Sequence, residues 1–457
     1  MWTNIIVNTL PMASLIAMGL LLLILLLRYF AEPALPGLAF GALIRRIFSR
    51  SAPPDPLPVV NDTRSQELLR DEPALHRHAR LAGWIFAMMA LSRVIIILAV
   101  IGGAAWQGQE TLNSLFTNFN GHWVRWDAPH YMDIAKNWYV AEGESRLFIV
   151  FLPLYPLLVR RLQPLFAGNT VAAAVFLSNL CLFASGWVLY YLVYDQHGTY
   201  AARRAVRYLM FCPLSVFFSA PYTESLFLLL TLLAVFLARR KKFLPAVIAG
   251  ALAALSRTFG ILTAVPIYYE MLRHVSAQGP WRDRRGKQAG LIAKYTLLVS
   301  LVATGTLAYL FLNWHITGNP LQFLEYQHDH WGQNYGTLWN TLRYTLEYAF
   351  SGDTGAFWQF GIWVPQAVAL IAVLALLGCV AHRMNPGDGA YTWLYLYAAF
   401  APTWSISGAR YLGALYALFP MLVLITRKKW QDAMITVVLT ALMAVCGYMY
   451  AVVGNLL

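Results

Sequence analysis

The sequence predicts an all-α fold: a polytopic transmembrane helix bundle of about 12 membrane segments, several of them short half-spans. Three observations predict it. Residues are 59% hydrophobic and 12% charged, with a mean hydropathy of +0.54, whereas a soluble domain carries about 25% charged residues. The apolar residues run together, as in Ile85–Ala105, Val171–Tyr194, Leu291–Leu312 and Ala367–Val380. Runs of roughly 20 residues match a bilayer core of about 30 Å, and they lack the alternation of a membrane barrel. Finally, the basic residues collect at the ends of these runs. The formal charge of +13 is therefore a positive-inside signal and not a nucleic-acid footprint. Cys181, Cys212, Cys379 and Cys446 lie within apolar runs and read as packing residues.

The elements follow in order. Ile5–Leu27 has no basic segment before it and no small-residue cleavage site, and is too long for a signal-peptide core. It predicts an additional N-terminal transmembrane helix within residues 1–30, with Arg28 marking its cytoplasmic end. Residues 31–80 mix seven Arg with six acids around Ala52-Pro53-Pro54-Asp55-Pro56. They read as a cytoplasmic linker with a short surface helix near 62–78. Residues 81–457 form one membrane domain with outer loops at 107–168 and 313–360. The second loop carries a single Lys/Arg residue, Arg343, and four acids. In the first, Phe151–Arg161 is short and Pro-broken, which suits an interfacial helix better than a span.

Basic clusters fix the remaining topology and expose a conflict. Arg239-Arg240-Lys241-Lys242 and the basic residues of 273–287 both read as cytoplasmic, so Phe243–Leu272 enters and leaves on one side. That length allows two half-spans turning at Ser256-Arg257-Thr258. Similar hairpins fit 205–238, turning at 220–224, and 391–426, turning at 405–410. Each apex carries one ionisable residue: Glu224, Arg257 or Arg410. A charge at membrane depth costs about 2.5–3.5 kcal/mol on insertion scales, so all three are functional candidates. The plainer alternative is a structural ion pair, with Glu224 neutralising either Arg.

The first outer loop centres on Arg125-Trp126-Asp127-Ala128-Pro129-His130-Tyr131. Asp127 stands where an N-cap would, with Pro129 early in the following helix. A carboxylate is favoured at a positive helix end and can there accept a proton from a positioned hydroxyl. It can equally be a cap and nothing more.

Together with Ile134-Ala135, this stretch resembles the first-loop signature of the PIG-V-type mannosyltransferases of the GT-C glycosyltransferase superfamily. Three further segments fit in order: Phe151–Leu157, Pro221–Phe227, and Ala253-Ala254-Leu255-Ser256-Arg257-Thr258 with Gly260. A looser one is Ser407–Leu412. Asn137-Trp138-Tyr139 stands where the family continues to Gly-Tyr. The resemblance implies a GT-C-like catalytic domain over 81–457. It implies inverting transfer of mannose, or a related hexose, from a polyprenyl-phosphate donor to an acceptor hydroxyl at the extracytoplasmic face. Within that reaction Asp127 is the expected base. Arg257 and Arg410, with Tyr411, would hold the lipid phosphate, since Arg grips phosphate with a planar fork. Arg125, Trp126, His130, Tyr131, Tyr222 and Glu224 would support the site or touch substrate, although His130 also reads as a plain surface histidine.

No cofactor is implied beyond the lipid-linked donor. His328-Asp329-His330 lacks the rest of a metal-ligand set. The partners implied are the donor, a glycan, glycolipid or protein acceptor, and membrane lipid. In a bacterium the location would be the inner membrane. The rival reading is a transporter or flippase of a lipid-linked sugar, which also tolerates broken helices. The hairpins differ in sequence, and their polar residues gather on one side rather than at the midplane.

Overall fold

The computed structural model describes residues 74–106, 119–278, 285–351, 355–404 and 406–453. The expected N-terminal helix and most of the 31–80 linker lie outside these residues. The helices are α1 (Ala74–Trp106), α2 (Phe119–Trp123), α3 (Ala128–Asn137), α4 (Leu154–Leu162), α5 (Thr170–Met210) and α6 (Glu224–Arg239). They continue with α7 (Phe243–Ser256), α8 (Ala264–Ser276), α9 (Arg285–Ser300), α10 (Ala303–Thr317), α11 (Gln322–Asp329) and α12 (Leu338–Phe350). The last are α13 (Gly355–Trp358), α14 (Val364–Val380), α15 (Pro386–Phe400), α16 (Gly408–Gly413), α17 (Leu418–Ile425) and α18 (Lys429–Val453). The fold is all-α. Among the described residues the one β-type pairing is an isolated bridge between Tyr335 and Pro402.

Among the described residues, five helical stretches are long and apolar enough to cross a membrane: His76–Trp106, Thr170–Met210, Gly286–Thr317, Gln359–Arg383 and Lys429–Val452. The first of them, α1, begins at Ala74 and so runs through the boundary placed at residue 80. The other helices are shorter. Phe243–Ser256 has 14 residues, about 21 Å at 1.5 Å per residue, well under the bilayer core. The 3₁₀ turn Glu144–Val150 meets the helical stretch Leu154–Phe166 at 113°, with Pro153 at the break and Pro156 in the first turn of the helix that follows. This is the short, broken segment expected of the first outer loop.

The chain divides into two compact units. One holds, of the described residues, those within 54–232 and 418–457. Here α1 packs along α18 and α5. The α1–α18 contact is close because Gly103 has no side chain: a Cβ there would lie 2.7 Å from the Tyr448 carbonyl oxygen. Small residues allow such backbone approach in membranes, where lipid is as apolar as leucine. The α5 helix starts at Asn169, whose side chain accepts from the Ala172 amide at 3.0 Å, and bends at Gly198 (φ 77°).

Several charges of this unit are buried with partners. Arg204 donates to the Thr426 carbonyl at 2.7 Å, at the C-terminal end of α17. There the unsatisfied carbonyls and the helix dipole favour a cation. Asp432, in the first turn of α18, pairs with Arg207 and accepts from the Tyr208 hydroxyl at 2.7 Å. Arg93 interrupts the apolar run of α1. Its guanidinium donates to the Ser215 carbonyl at 3.1 Å and to the Ser215 and Ser219 hydroxyls.

The second unit holds residues 233–417 of the described chain. Its core joins Ala234, Ala238, Phe243, Ala246, Ile267, Met271 and Val302. The α7 helix lies on α10 at Gly305, where a Cβ would meet the Ala251 carbonyl oxygen at 1.9 Å. Arg239 pairs with Asp388 and lies 3.8 Å from Glu270, which also pairs with Arg273 at 3.2 Å. Arg239, read from the sequence as a mark of a cytoplasmic edge, is thus also an internal tie, as is Arg204.

Candidate functional site

In the unit of residues 54–232, α2 ends at Trp123 and α3 begins at Ala128. The Arg125–Asp127 turn joins them. Trp126 takes a left-handed backbone (φ 55°), which for a bulky residue costs roughly 1–3 kcal/mol and requires support from its surroundings. That support is visible on both sides. Tyr450 of α18 donates to the Trp123 carbonyl at 2.9 Å, and Tyr222 donates to the Arg125 carbonyl at 2.6 Å. The Ala128 amide closes the turn onto the same Arg125 oxygen at 3.0 Å. Tyr222 is fully buried, its ring edge-on to Phe217 and Tyr131.

Asp127 occupies the N-cap position of α3 but does not cap with its side chain. The reason is local. Its backbone is already helical (φ −74°, ψ −15°), whereas a capping side chain needs an extended backbone to reach the first-turn amides. Pro129 moreover removes one of those amides. The Asp127 carbonyl accepts from the His130 and Tyr131 amides at 3.1 and 3.3 Å. The carboxylate, half-buried, is thereby excluded from the plain capping role.

The rest of the expected set in this unit gathers around that turn. His130 lies against the rings of Phe148 and Phe151, at 4.4 and 5.1 Å between centroids. Tyr131 is buried among Phe151, Tyr155 and Tyr222. Arg125 is buried, and burial lowers its guanidinium from the ordinary arginine range while Tyr450 opposes that shift. Glu224 is buried at the first turn of α6, where the helix dipole favours a carboxylate. The turn before it is held by Ser178, which donates to the Ala220 carbonyl at 2.9 Å and shares a 2.9 Å hydrogen bond with Tyr155.

Sequence reasoning missed Tyr155, Ser178, Tyr450 and Arg93 as supports. Tyr155 lies in the quoted Phe151–Leu157 segment, so its signal was present. Tyr450 sits 327 residues from its partner, and nothing local marks it.

In the unit of residues 233–417, Arg257 is the single extended residue (φ −152°, ψ 147°) between α7 and the 3₁₀ turn Thr258–Thr263. That is the break expected at Ser256-Arg257-Thr258. The chain can fold back so tightly because of Gly260. A Cβ there would sit 2.1 Å from the Ala253 carbonyl carbon. The Arg257 guanidinium carbon lies 4.5 Å from the Tyr411 ring centroid, and that of Arg410 lies 5.4 Å from the same ring. Arg257, Arg410 and Tyr411 therefore form one cluster. Phe259 and the Tyr395 hydroxyl, which donates to the Tyr411 carbonyl at 2.8 Å, brace it. Two cations over one aromatic ring each gain cation–π attraction and repel one another.

Residues 106–313 match the sequence model of a family described as Mannosyltransferase (PIG-V). The matched stretch contains Asp127, His130, Tyr222, Glu224 and Arg257; Arg410 and Tyr411 lie beyond it. A curated relative is GPI mannosyltransferase 2 of Schizosaccharomyces pombe, 26% identical over 155 residues. The match takes in 34% of this chain and spans 33% of the yeast protein's length. Among solved structures, ArnT from Cupriavidus metallidurans bound to undecaprenyl phosphate is similar with a TM-score of 0.47 at 14% identity. That likeness covers 82% of this chain and 77% of the ArnT chain.

Proposed function

We propose that the protein is a GT-C-type membrane mannosyltransferase. It transfers mannose, or a related hexose, with inversion from a polyprenyl-phosphate donor to an acceptor hydroxyl at the extracytoplasmic face. In the reaction the acceptor oxygen attacks the anomeric carbon while the bond from that carbon to the phosphate oxygen breaks. The hydroxyl proton passes to the Asp127 carboxylate, and the lipid phosphate leaves as an anion. Positioning of the hydroxyl and the proton acceptor supplies much of such a rate enhancement. Arg257 and Arg410 meet the leaving phosphate, for which paired guanidiniums are well suited. Tyr411 aligns the pair. Arg125, Trp126, His130, Tyr131, Tyr222 and Glu224 hold the Asp127 turn or contact substrate.

One observation carries the reading. Inside the matched stretch, the Asp127 turn is pinned through its neighbours' carbonyls by two buried tyrosines, yet its carboxylate is not used as a cap. A carboxylate on a turn held in that way suits proton transfer from a positioned hydroxyl. The relative's name, a mannosyltransferase, supports the same class.

Asp127→Asn tests it. The variant keeps the shape and removes the base. We expect transfer from radiolabelled polyprenyl-phosphate mannose to fall at least about a hundredfold, with an unchanged melting temperature. Full activity in the folded variant would refute the assignment.

A further inference from the structure

The unit of residues 233–417 also contains an open concavity of 520 Å³, lined by none of the residues assigned to the transfer step. Its walls include Trp331, Tyr344, Tyr348 and Trp404, with His330 and Thr403 as polar members. The volume lies in the range of small-molecule sites, and aromatic walls with a few polar groups are their usual lining. Trp404 is 44% exposed, edge-on to Tyr348 at 5.7 Å between centroids. Behind them Trp363, almost fully buried, stacks on Tyr348 at 4.9 Å and meets Trp404 at 5.6 Å. The cavity thus has a rigid aromatic floor.

The segment that carries Trp404 is held in an unusual shape. Trp404 has a left-handed backbone (φ 54°). Just before it, Thr403 is tied to Asn334 twice. The Thr403 amide donates to the Asn334 carbonyl at 2.7 Å, and the Asn334 amide donates to the Thr403 hydroxyl at 2.8 Å. Gly336 lies against the Ala401 carbonyl, where a Cβ would come within 2.8 Å. Anchoring aromatics of a membrane interface stand singly on the outside of helices. Here they converge on one concavity, and a strained backbone aims one of them, which is a pattern of functional sites.

We propose that this cavity binds a hexopyranose ring by stacking it on Trp404, with the Tyr348 ring set crosswise beside it. A pyranose presents a flat C–H face that fits an indole or phenol ring, while its rim of hydroxyls needs donors and acceptors. His330 and the Thr403 hydroxyl, which keeps its own proton to donate, supply these. The ligand class rests on the transferase reading, and either the acceptor saccharide or the donor's sugar could provide the ring.

The test is equilibrium binding to the full chain in detergent micelles, without turnover. Soluble mannobiose and a water-soluble short-chain prenyl-phosphate mannose are followed separately by saturation-transfer NMR. We expect one of them to saturate and its affinity to fall about tenfold in Trp404→Ala, with recovery in Trp404→Phe. Loss confined to mannobiose assigns the acceptor; loss confined to the phosphate sugar assigns the donor. Melting curves certify folding, and Tyr348→Ala replaces Trp404→Ala if the latter unfolds. Affinity unchanged in the folded variant, or no saturation by either probe, overturns the proposal. Because no transfer is measured here, failure of the folded wild-type protein to transfer sugar from any polyprenyl-phosphate hexose would remove the transferase reading and leave this result standing.

Discussion

At the scale of single residues, the contrast between Asp127 and its supports decides what mutation should do. Tyr222 reaches the site only through the Arg125 carbonyl. Tyr222→Phe keeps the buried ring and removes one hydrogen bond, a loss of about 0.5–1.5 kcal/mol. We expect a small drop in melting temperature and a roughly tenfold drop in kcat with donor KM unchanged, since the turn loosens while the phosphate cluster is untouched. Arg257 and Arg410 should behave in the opposite way. Replacing either with Ala should weaken donor binding about 10–100-fold, the worth of charge-assisted hydrogen bonds, and Lys should restore part of it. Unchanged donor affinity in both Ala variants would sink the phosphate assignment. The identity of these residues was legible because charges are scarce in an apolar chain. The behaviour of Asp127 was not. Its capping role was read from position, whereas its backbone torsions, imposed by the Trp126 turn, decide against it.

At the scale of elements, glycine sets the geometry at the Arg257 break. Only a residue without Cβ lets the 3₁₀ turn fold onto the end of α7. Gly260→Ala must push these backbones apart, a strain of about 1–3 kcal/mol. Because the Gly260 amide bonds to the Arg257 carbonyl at 2.9 Å, the displacement carries Arg257 with it. The expected result is a lower melting temperature together with a raised donor KM, read by thermal melts and kinetics. A raised KM without loss of stability would show that strain is not the cause. The break itself was readable, since a lone Arg with flanking Ser and Thr interrupts an apolar run. The roles of Arg93 and Arg204 were not. Arg93 lies in a run that otherwise reads as apolar, and its partners Ser215 and Ser219 lie more than a hundred residues on. A count of loop charges cannot see partners at that distance.

At the scale of the whole molecule, the proposed topology is open to direct measurement. Single cysteines introduced by Arg240→Cys and Lys287→Cys, on a background lacking exposed Cys379, should both label from the cytoplasmic side. Labelling from opposite faces would discard the paired half-spans of α7 and α8. The all-α class was legible from hydropathy alone, because long apolar runs in lipid leave few alternatives to helix. The division into two units was not, because one of them is closed by the chain's last forty residues. That closure has a consequence for synthesis. Arg204 is made 222 residues before the Thr426 carbonyl that it caps. At the usual pace of about 5–20 residues per second, a ribosome takes roughly 10–45 s to cover that distance. Throughout this interval the nascent chain holds a guanidinium whose native acceptors do not yet exist. Until then solvent or lipid headgroups must satisfy it, and a prematurely stopped chain would lack its native acceptors altogether.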